Sequence, residues 1–373
     1  MRSLLGAFCA LCLAACTPSQ APVNFIADGN PEKLSDWHLL SVGGGQLNLN
    51  RDVVPYDLNT PLFTDYAHKL RTIWMPKGRS AVYQDDASFD FPVGTIISKT
   101  FYYPRSGDGN AVLANYDSGK DGARLDLSGV RLIETRLLVR RAGGWIALPY
   151  VWNAAQTEAV LSRTGDQIPL NAIYQDKSSR QFTYVVPNVN QCASCHVADL
   201  KSRQFQPIGL KARHLNRDYS HDGVSTNQLE YLSRIGYLSG APAATAAPRN
   251  ADWRDTTQPI DARARAYLDI NCAHCHNDKG AANTTALHLN MGAPADLHLG
   301  LCKPPVAAGA GTGGRGYDIA PGLPDDSIML YRLDSAEPGI MMPELGRSSV
   351  HREGVALIRT WIAAMKQGCD HNS

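Results

Sequence analysis

One stretch of the sequence decides the fold class of the N-terminal half: Arg131-Leu132-Ile133-Glu134-Thr135-Arg136-Leu137-Leu138-Val139-Arg140. Apolar or β-branched side chains alternate there with charged ones, which is the two-residue period of a strand with one buried face. Gly143-Gly144 follows, and the apolar run resumes from Trp145 to Leu148. A glycine pair between two such runs predicts a β-hairpin.

Two further runs in this half are rich in strand-forming residues. Thr95 to Tyr103 is bounded by Gly94 and Pro104, and Thr183 to Val186 forms a shorter run. Clusters of Gly, Pro and Asp separate these runs. We therefore expect residues 35–187 to form a mostly antiparallel β domain of the sandwich type.

The composition excludes several classes of protein. The chain has 373 residues, with 36 Lys and Arg against 35 Asp and Glu, and no basic block. Nucleic-acid binding through phosphate neutralisation is therefore not expected, because it depends on clustered cations. A hydrophobic fraction of 44% is enough for packed cores, and this length predicts more than one domain.

The N-terminus carries a short apolar run, Leu4 to Leu13, which at ten residues is too short to span a membrane. Leu13-Ala14-Ala15-Cys16 resembles the bacterial lipoprotein signal, which implies cleavage before Cys16 and acylation of that cysteine. We expect residues 1–15 to be a signal peptide and residues 16–34 a tether. The mature protein would be anchored in the cell envelope, on the outer membrane facing the periplasm. An ordinary signal peptide with an incidental cysteine is the alternative.

Two copies of a Cys-x-x-Cys-His motif follow the β region: Cys192-Ala193-Ser194-Cys195-His196 and Cys272-Ala273-His274-Cys275-His276. In an exported protein this motif is the attachment signal for c-type haem. The two thiols bond to the vinyl groups of one porphyrin, and the adjacent histidine is the proximal ligand of the iron. We therefore predict two covalently bound haem c groups. The predicted attachment residues are Cys192, Cys195, Cys272 and Cys275, and the proximal ligands are His196 and His276. A thioredoxin-like redox pair or a zinc site would leave both histidines unexplained.

The second motif has helical patterns on both sides. Asp261 is suited to cap a helix that runs into Cys272, and Val355, Ile358, Ile362 and Met365 predict an amphipathic C-terminal helix. Together with Met341-Met342-Pro343, this arrangement resembles a class I cytochrome c over residues 260–373. The resemblance implies Met342 as the distal iron ligand, with Met341 as runner-up; the alternative is that both methionines are core residues.

The first motif lacks an evident distal ligand. Asn188 to Gln191, ahead of it, is read as a loop, and residues 188–240 are taken as the first haem-binding region, followed by a linker at 241–259. His214 is the distal ligand we name. The alternatives are His221, Met291 and Met75, or a five-coordinate iron that is open to ligands.

Two cysteines remain after these assignments, Cys302 and Cys369. In an oxidising compartment, leftover thiols usually pair. We predict a disulfide between them, which would enclose Met342 in its loop. Two free thiols are the alternative.

Several segments resemble a family of bacterial dihaem c-type cytochrome lipoproteins whose physiological role is unassigned. The segments are Tyr56 to Phe63, Phe91 to Thr95, Asn188 to His196, Pro207-Ile208-Gly209 and Lys303 to Gly309. The resemblance implies a multidomain fold, in which the β domain is followed by mostly helical haem-binding regions.

The leading functional expectation is electron transfer between redox protein partners by a lipid-anchored dihaem cytochrome, rather than a stand-alone enzyme. One alternative is a peroxidase-like or dehydrogenase-linked haem oxidoreductase, which uses an open first haem or a substrate site in the β domain. A haem-based ligand-binding or sensing module is the other.

Overall fold

The computed structural model describes residues 20–107, 110–114, 124–197, 199–221, 223–306, 308–366 and 368–369. The signal peptide expected at 1–15 and Cys16, the predicted acylation site, lie outside these residues, as does the start of the predicted tether. Among the described residues, no helix is long and apolar enough to cross a membrane.

The chain is a mixed α and β protein. Its strands are β1 (Leu40–Gly43), β2 (Gln46–Leu49), β3 (Val54–Tyr56), β4 (His68–Trp74), β5 (Ala81–Val82), β6 (Ile96–Pro104), β7 (Ala111–Leu113), β8 (Arg124–Asp126), β9 (Val130–Arg141), β10 (Gly144–Trp152), β11 (Ala159–Leu161), β12 (Asp166–Ile173), β13 (Ser179–Val186), β14 (Asp218–His221), β15 (Val224–Asn227) and β16 (Leu238–Ser239). Its α-helices are α1 (Val189–His196), α2 (Ala212–Leu215), α3 (Gln228–Arg234), α4 (Ile260–Asn271), α5 (Ile328–Leu333) and α6 (Arg352–Ala363).

A six-stranded antiparallel sheet, in the order β11-β10-β9-β6-β4-β3, organises the N-terminal half. The predicted hairpin is confirmed as β9 and β10, which pair from Gly144 opposite Arg141 to Val151 opposite Glu134. The predicted strand at Thr95 to Tyr103 is confirmed as β6. Period-two alternation identified β9, whereas the strand-forming residues between Gly94 and Pro104 identified β6.

The sheet buries its two faces differently. One face packs against a second sheet, β1-β2-β8, so that Leu47 and Leu125 share a core with Leu137 and Tyr150. This is the sheet-on-sheet packing expected of a sandwich.

The opposite face is covered at its two ends by different elements. At one end the sheet β13-β12-β7, whose β7 and β12 are parallel, places Tyr184 against Phe101. At the other end α2 and α3 place Leu215 and Leu229 against Ile97. The segment after the first motif therefore packs on the β sheet instead of forming a core of its own. The middle of this face, between the two covers, is the part that the candidate site uses.

The C-terminal region forms a separate core around α4, α5 and α6, with Leu268, Leu330 and Ile358 inside it. Trp361 of α6 donates a hydrogen bond from Nε1 to Asp261 Oδ1 of α4 at 2.9 Å, which ties the two longer helices together. The helix α4 begins at Ile260, one residue before the expected cap, so Asp261 lies in its first turn.

The expectation that the predicted haem-binding regions are mostly helical is wrong, because these regions contain less helix than predicted. The three helices of the C-terminal region have 12, 6 and 12 residues, and turns and short 3-10 segments connect them. The stretch between α4 and α5 is rich in helix-breaking residues, such as Pro304-Pro305 and the glycines from Gly309 to Gly316. Proline removes a backbone donor and glycine has a high entropic cost in a helix, so this stretch folds as turns.

Candidate functional site

The first Cys-x-x-Cys-His motif is carried by α1, which the sequence analysis wrongly read as starting in a loop. Asn188 caps the helix: its side chain accepts a hydrogen bond from the Gln191 N–H at 2.8 Å, and the Gln191 side chain accepts one from the Asn188 N–H at 2.9 Å. This reciprocal capping box was legible in the spacing Asn-x-x-Gln. The helix places Cys192 and Cys195 on one face, because residues three apart are neighbours on a helix.

The second motif follows α4 directly and folds as a series of turns. Cys272 is the C-terminal cap of the helix, and its N–H donates to the Leu268 carbonyl. The next turn brings Cys275 and His276 back over Cys272, since both of their backbone N–H groups donate to the Cys272 carbonyl. The helix therefore determines where the second motif projects.

The two motifs meet, although 80 residues separate them in the sequence. The Cys275 thiol donates to the Ser194 carbonyl at 3.4 Å. Ligand atoms of Cys195, His274 and Cys275 all lie within 4.8 Å of one another. None of the four motif cysteines is in a disulfide. Neither motif revealed this contact by its own sequence.

The contact between the motifs sets the ionisation of their thiols. A hydrogen bond from the Cys275 thiol lowers the pKa of Cys195, and His274 adds to that effect. The same hydrogen bond, together with burial, raises the pKa of Cys275. With His274, the pair offers three of the four ligands of a zinc-type site.

Both motif histidines are held with Nδ1 engaged. His196 Nδ1 lies 2.8 Å from the Gln206 carbonyl oxygen, which only accepts, so Nδ1 carries the proton. His276 Nδ1 lies 3.2 Å from Thr285 Oγ1, whose own proton is donated to the Ala282 carbonyl at 2.7 Å. In each ring the lone pair is left on Nε2, which is the arrangement that a metal-binding histidine uses.

These two histidines are also kept neutral. Burial, followed by the charge of Lys99, lowers the pKa of His196 to about 4. Burial, followed by the charge of His274, lowers the pKa of His276 to about 4. Neutral imidazole is the form that binds a metal ion.

An open cavity lies where the motifs meet. The walls come from the middle of the six-stranded sheet, from α1 and α4, and from the loop after α5. Cys192, Cys195, His196 and His274 line it, and so does Met342. Met341 is not among the lining residues, so the cavity favours Met342 over its neighbour.

The loop that carries Met342 is braced from two sides. Arg347 donates from Nη2 to the Met342 carbonyl at 2.8 Å and from Nη1 to the Ser349 carbonyl at 3.0 Å. Asp65, in the loop between β3 and β4, accepts hydrogen bonds from the Ser348 and Ser349 N–H groups at 2.8 and 2.7 Å. The β domain therefore holds the methionine loop of the C-terminal region in place.

His214 is placed away from this cavity wall. It is 1% exposed, and its Nε2 lies 3.4 Å from Asp269 Oδ2, a carboxylate that also accepts two hydrogen bonds from Arg213 at 2.7 and 2.9 Å. Burial lowers the pKa of His214 to about 3. The alternatives lie elsewhere too: Met75 is in the core below α2 and α3, and the His221 ring stacks on Tyr231.

Another histidine, which the sequence analysis did not single out, does face the cavity. His274 lies in its wall, and its Nδ1 is buried without a hydrogen-bond partner among the described residues. The sequence analysis missed His274 because it lies within a motif whose cysteines and final histidine already had roles. The only signal was that the second motif reads Cys-Ala-His-Cys-His.

No protein-family model, curated protein or solved structure matches this chain. What the site does must therefore be inferred from its own chemistry.

The leftover cysteines are joined as expected. Cys302 and Cys369 form a disulfide that spans 67 residues of sequence. The enclosed segment contains α5, the Met342 loop and α6. The bridge therefore ties the end of the chain to the start of the segment that carries the methionine.

Proposed function

We propose that this protein is a dihaem c-type cytochrome that transfers electrons between redox partners, as a member of the lipoprotein family that its sequence resembles. The observation that carries the proposal is the contact between two Cys-x-x-Cys-His motifs beside one cavity, with His196 and His276 both held in the ligand tautomer. A zinc site would use Cys195, His274 and Cys275 but would give no role to His196 and His276.

The chain's own residues fit two such groups. Cys192 and Cys195 would hold the first, and Cys272 and Cys275 the second, since none of the four is in a disulfide and each pair has the spacing that the attachment chemistry needs. His196 and His276 would present Nε2 to the metal, because Nδ1 of each is engaged with an oxygen atom. When bound, haem supplies one-electron redox chemistry.

Met342 would be the distal ligand of the second iron. Its loop lines the cavity and is held there by Arg347 and, through the Ser348 and Ser349 backbone, by Asp65. The packing of α4 on α6, beside the second motif, also supports the likeness of this region to a class I cytochrome c. A thioether ligand favours the reduced iron and so raises the reduction potential.

The contact between the motifs bears on how electrons move. The sulfur atoms of Cys195 and Cys275, which belong to different motifs, lie within 4.8 Å of each other. The attachment points of the two groups are thus adjacent. Groups held at these cysteines would supply one-electron transfer within the protein and with its redox partners.

The sixth ligand of the first iron decides between electron transfer and ligand chemistry. His214 remains a predicted ligand, but its Nε2 lies beside the Asp269 carboxylate and outside the cavity wall. Of the described histidines, three line the cavity, and His351 among them is hydrogen-bonded to Tyr267 at 3.0 Å and stacked on Phe63. His274 is the imidazole that the cavity offers, and with it bound the first iron would be closed to ligands.

The haem content of the purified protein tests the proposal directly. Purified full-length protein should contain two covalent haems per chain by the pyridine haemochrome assay. Replacing Cys192 and Cys195 by Ala should halve that content, because the second motif is left intact. The matched control replaces Cys302 and Cys369 by Ser and should retain both haems. Zinc in place of haem in the wild-type protein would refute the proposal.

A further inference from the structure

A row of cations crosses the sheet at the cavity. Arg71 of β4 is directly opposite Lys99 of β6, and Lys99 is directly opposite Arg136 of β9. Side chains opposite each other on neighbouring strands have Cβ atoms about 5 Å apart, and like charges in such pairs destabilise a sheet. Three cations in register therefore require compensating anions.

The two outer members of the row have anionic partners. Arg71 pairs with Asp57 at 2.6 Å. Arg136 forms two hydrogen bonds with the fully buried Glu134, at 2.5 and 2.8 Å. The charges at both ends of the row are thus neutralised by side chains that the fold provides.

Lys99, in the middle of the row, has no anionic partner among the described residues. Within the described part of the chain, the Lys99 ammonium makes no hydrogen bond or ion pair, and its nearest ring contact is Phe101 at 5.7 Å. Lys99 lines the cavity together with Cys195 and His196. Burial, followed by the charges of Arg71 and Arg136, lowers the pKa of Lys99 to about 7. A lysine without an anionic partner in the described ranges therefore faces the space beside the first motif.

The surface next to Lys99 is apolar. Ile97, Leu138 and Ala147 are cross-strand neighbours in the adjacent row of the same face, and all three line the cavity. A ligand that lay here would place an apolar body on these residues and an anionic edge at Lys99. A fully hydrated ion such as phosphate fits this site less well, because it has no apolar body to lie on these three residues.

We propose that Lys99, flanked by Arg71 and Arg136, binds a carboxylate carried by an apolar body that lies on Ile97 and Leu138. Two sources share this chemistry. One is a propionate of the first haem, which rests on the proposed function; the other is a diffusible organic carboxylate. The lysine, when protonated, supplies a charge-assisted hydrogen bond, which is stronger than one between neutral groups.

The test compares holoprotein variants. Lys99→Gln removes the charge, Lys99→Arg retains it, and Lys77→Gln is the control at an exposed lysine of the same domain. Haem content is measured first in each variant, so that failure of the proposed function is seen separately. If the Lys99→Gln protein does not contain two haems, Lys99→Met is used in its place.

If the carboxylate is a propionate of the first haem, Lys99→Gln should shift the carboxylate bands in redox-difference infrared spectra. These spectra are recorded on protein whose haem propionates are labelled with ¹³C. The reduction equilibrium constant of one haem should also fall by about tenfold, or ~59 mV for one electron. Lys99→Arg and Lys77→Gln should leave both measurements as in the wild type. If the carboxylate is a diffusible compound, benzoate should bind saturably to the wild-type protein and at least about tenfold more weakly to Lys99→Gln, because a charged hydrogen bond is lost.

Two results would overturn the inference. The first is a fully haem-loaded Lys99→Gln protein whose propionate bands and benzoate affinity match those of Lys77→Gln. The second is a first haem that becomes high-spin in Lys99→Gln, because Lys99 would then be an iron ligand.

Discussion

Two histidines of this protein show how burial and hydrogen bonding separate a structural side chain from a candidate ligand. His214 is buried beside Asp269, where its Nε2 already has an anionic neighbour at 3.4 Å. His274 is in the cavity wall with its Nδ1 buried and unpaired among the described residues. A buried polar atom without a partner costs free energy, which a bound metal would recover.

This contrast leads to a prediction about the first iron. His274→Ala should convert the first haem from low-spin to high-spin and allow it to bind CO, because its distal ligand is removed. His214→Ala is the matched control and should leave the visible spectrum unchanged. Added imidazole should restore the low-spin spectrum of His274→Ala. The reverse pattern, with CO binding only in the His214 variant, would restore His214 as the ligand.

The adjacent methionines permit a similar comparison. Met342→Ala should abolish the sulfur-to-iron charge-transfer band and lower the potential of the second haem by on the order of 0.1 V, because axial ligands set haem potentials over a range of about 0.8 V. Met341→Ala, whose side chain is outside the cavity wall, should change neither. Optical redox titration of the two variants measures the effect. Loss of the band in Met341→Ala alone would reverse the assignment.

At the level of elements, the loop between β3 and β4 acts as a support for the Met342 loop. Asp65 is 2% exposed and accepts hydrogen bonds from the Ser348 and Ser349 N–H groups and from the Ser349 hydroxyl. Its backbone has a φ of 46°, in the left-handed region. Asparagine tolerates that region, so a change to Asn tests the carboxylate without backbone strain.

Asp65→Asn should lower the free energy of unfolding by about 1–3 kcal/mol, because one carboxylate oxygen is replaced by a donor that faces other donors. It should also weaken the charge-transfer band without any change at Met342 itself. Urea unfolding and visible spectra measure the two effects, and Asp90→Asn, at an exposed residue of the same domain, is the control. An intact band together with unchanged stability would show that the support is dispensable.

At the level of the whole molecule, the disulfide between Cys302 and Cys369 limits how far the C-terminal region can unfold. In the chain-entropy model, a bridge across 67 residues stabilises the folded state by about 4 kcal/mol. Replacing both cysteines by Ser should reduce the free energy of unfolding by that order, with both haems retained. A change below about 1 kcal/mol in urea titrations would mean that the unfolded chain is already compact without the bridge.

Much of the fold was predictable from local patterns. The alternation in Arg131 to Arg140 identified β9, and the spacing of Ile358 and Ile362 identified α6, because each pattern records which face of an element is buried. The extent of helix was overestimated, since the resemblance to a cytochrome outweighed the proline and glycine content between α4 and α5. The helix α1 was missed because its capping box uses Asn and Gln rather than Ser or Thr and Glu.

The sequence by itself determined which residues are candidates for the chemistry: two Cys-x-x-Cys-His motifs, the cysteine pair left over, and a methionine ahead of the last helix. These features are local, so spacing is enough to recognise them. Only the tertiary structure decided that the motifs touch, that His274 rather than His214 faces the cavity, and that Lys99 lies unpaired between two arginines. Those facts depend on contacts between residues far apart in the chain, and such contacts leave no period or spacing in a single sequence.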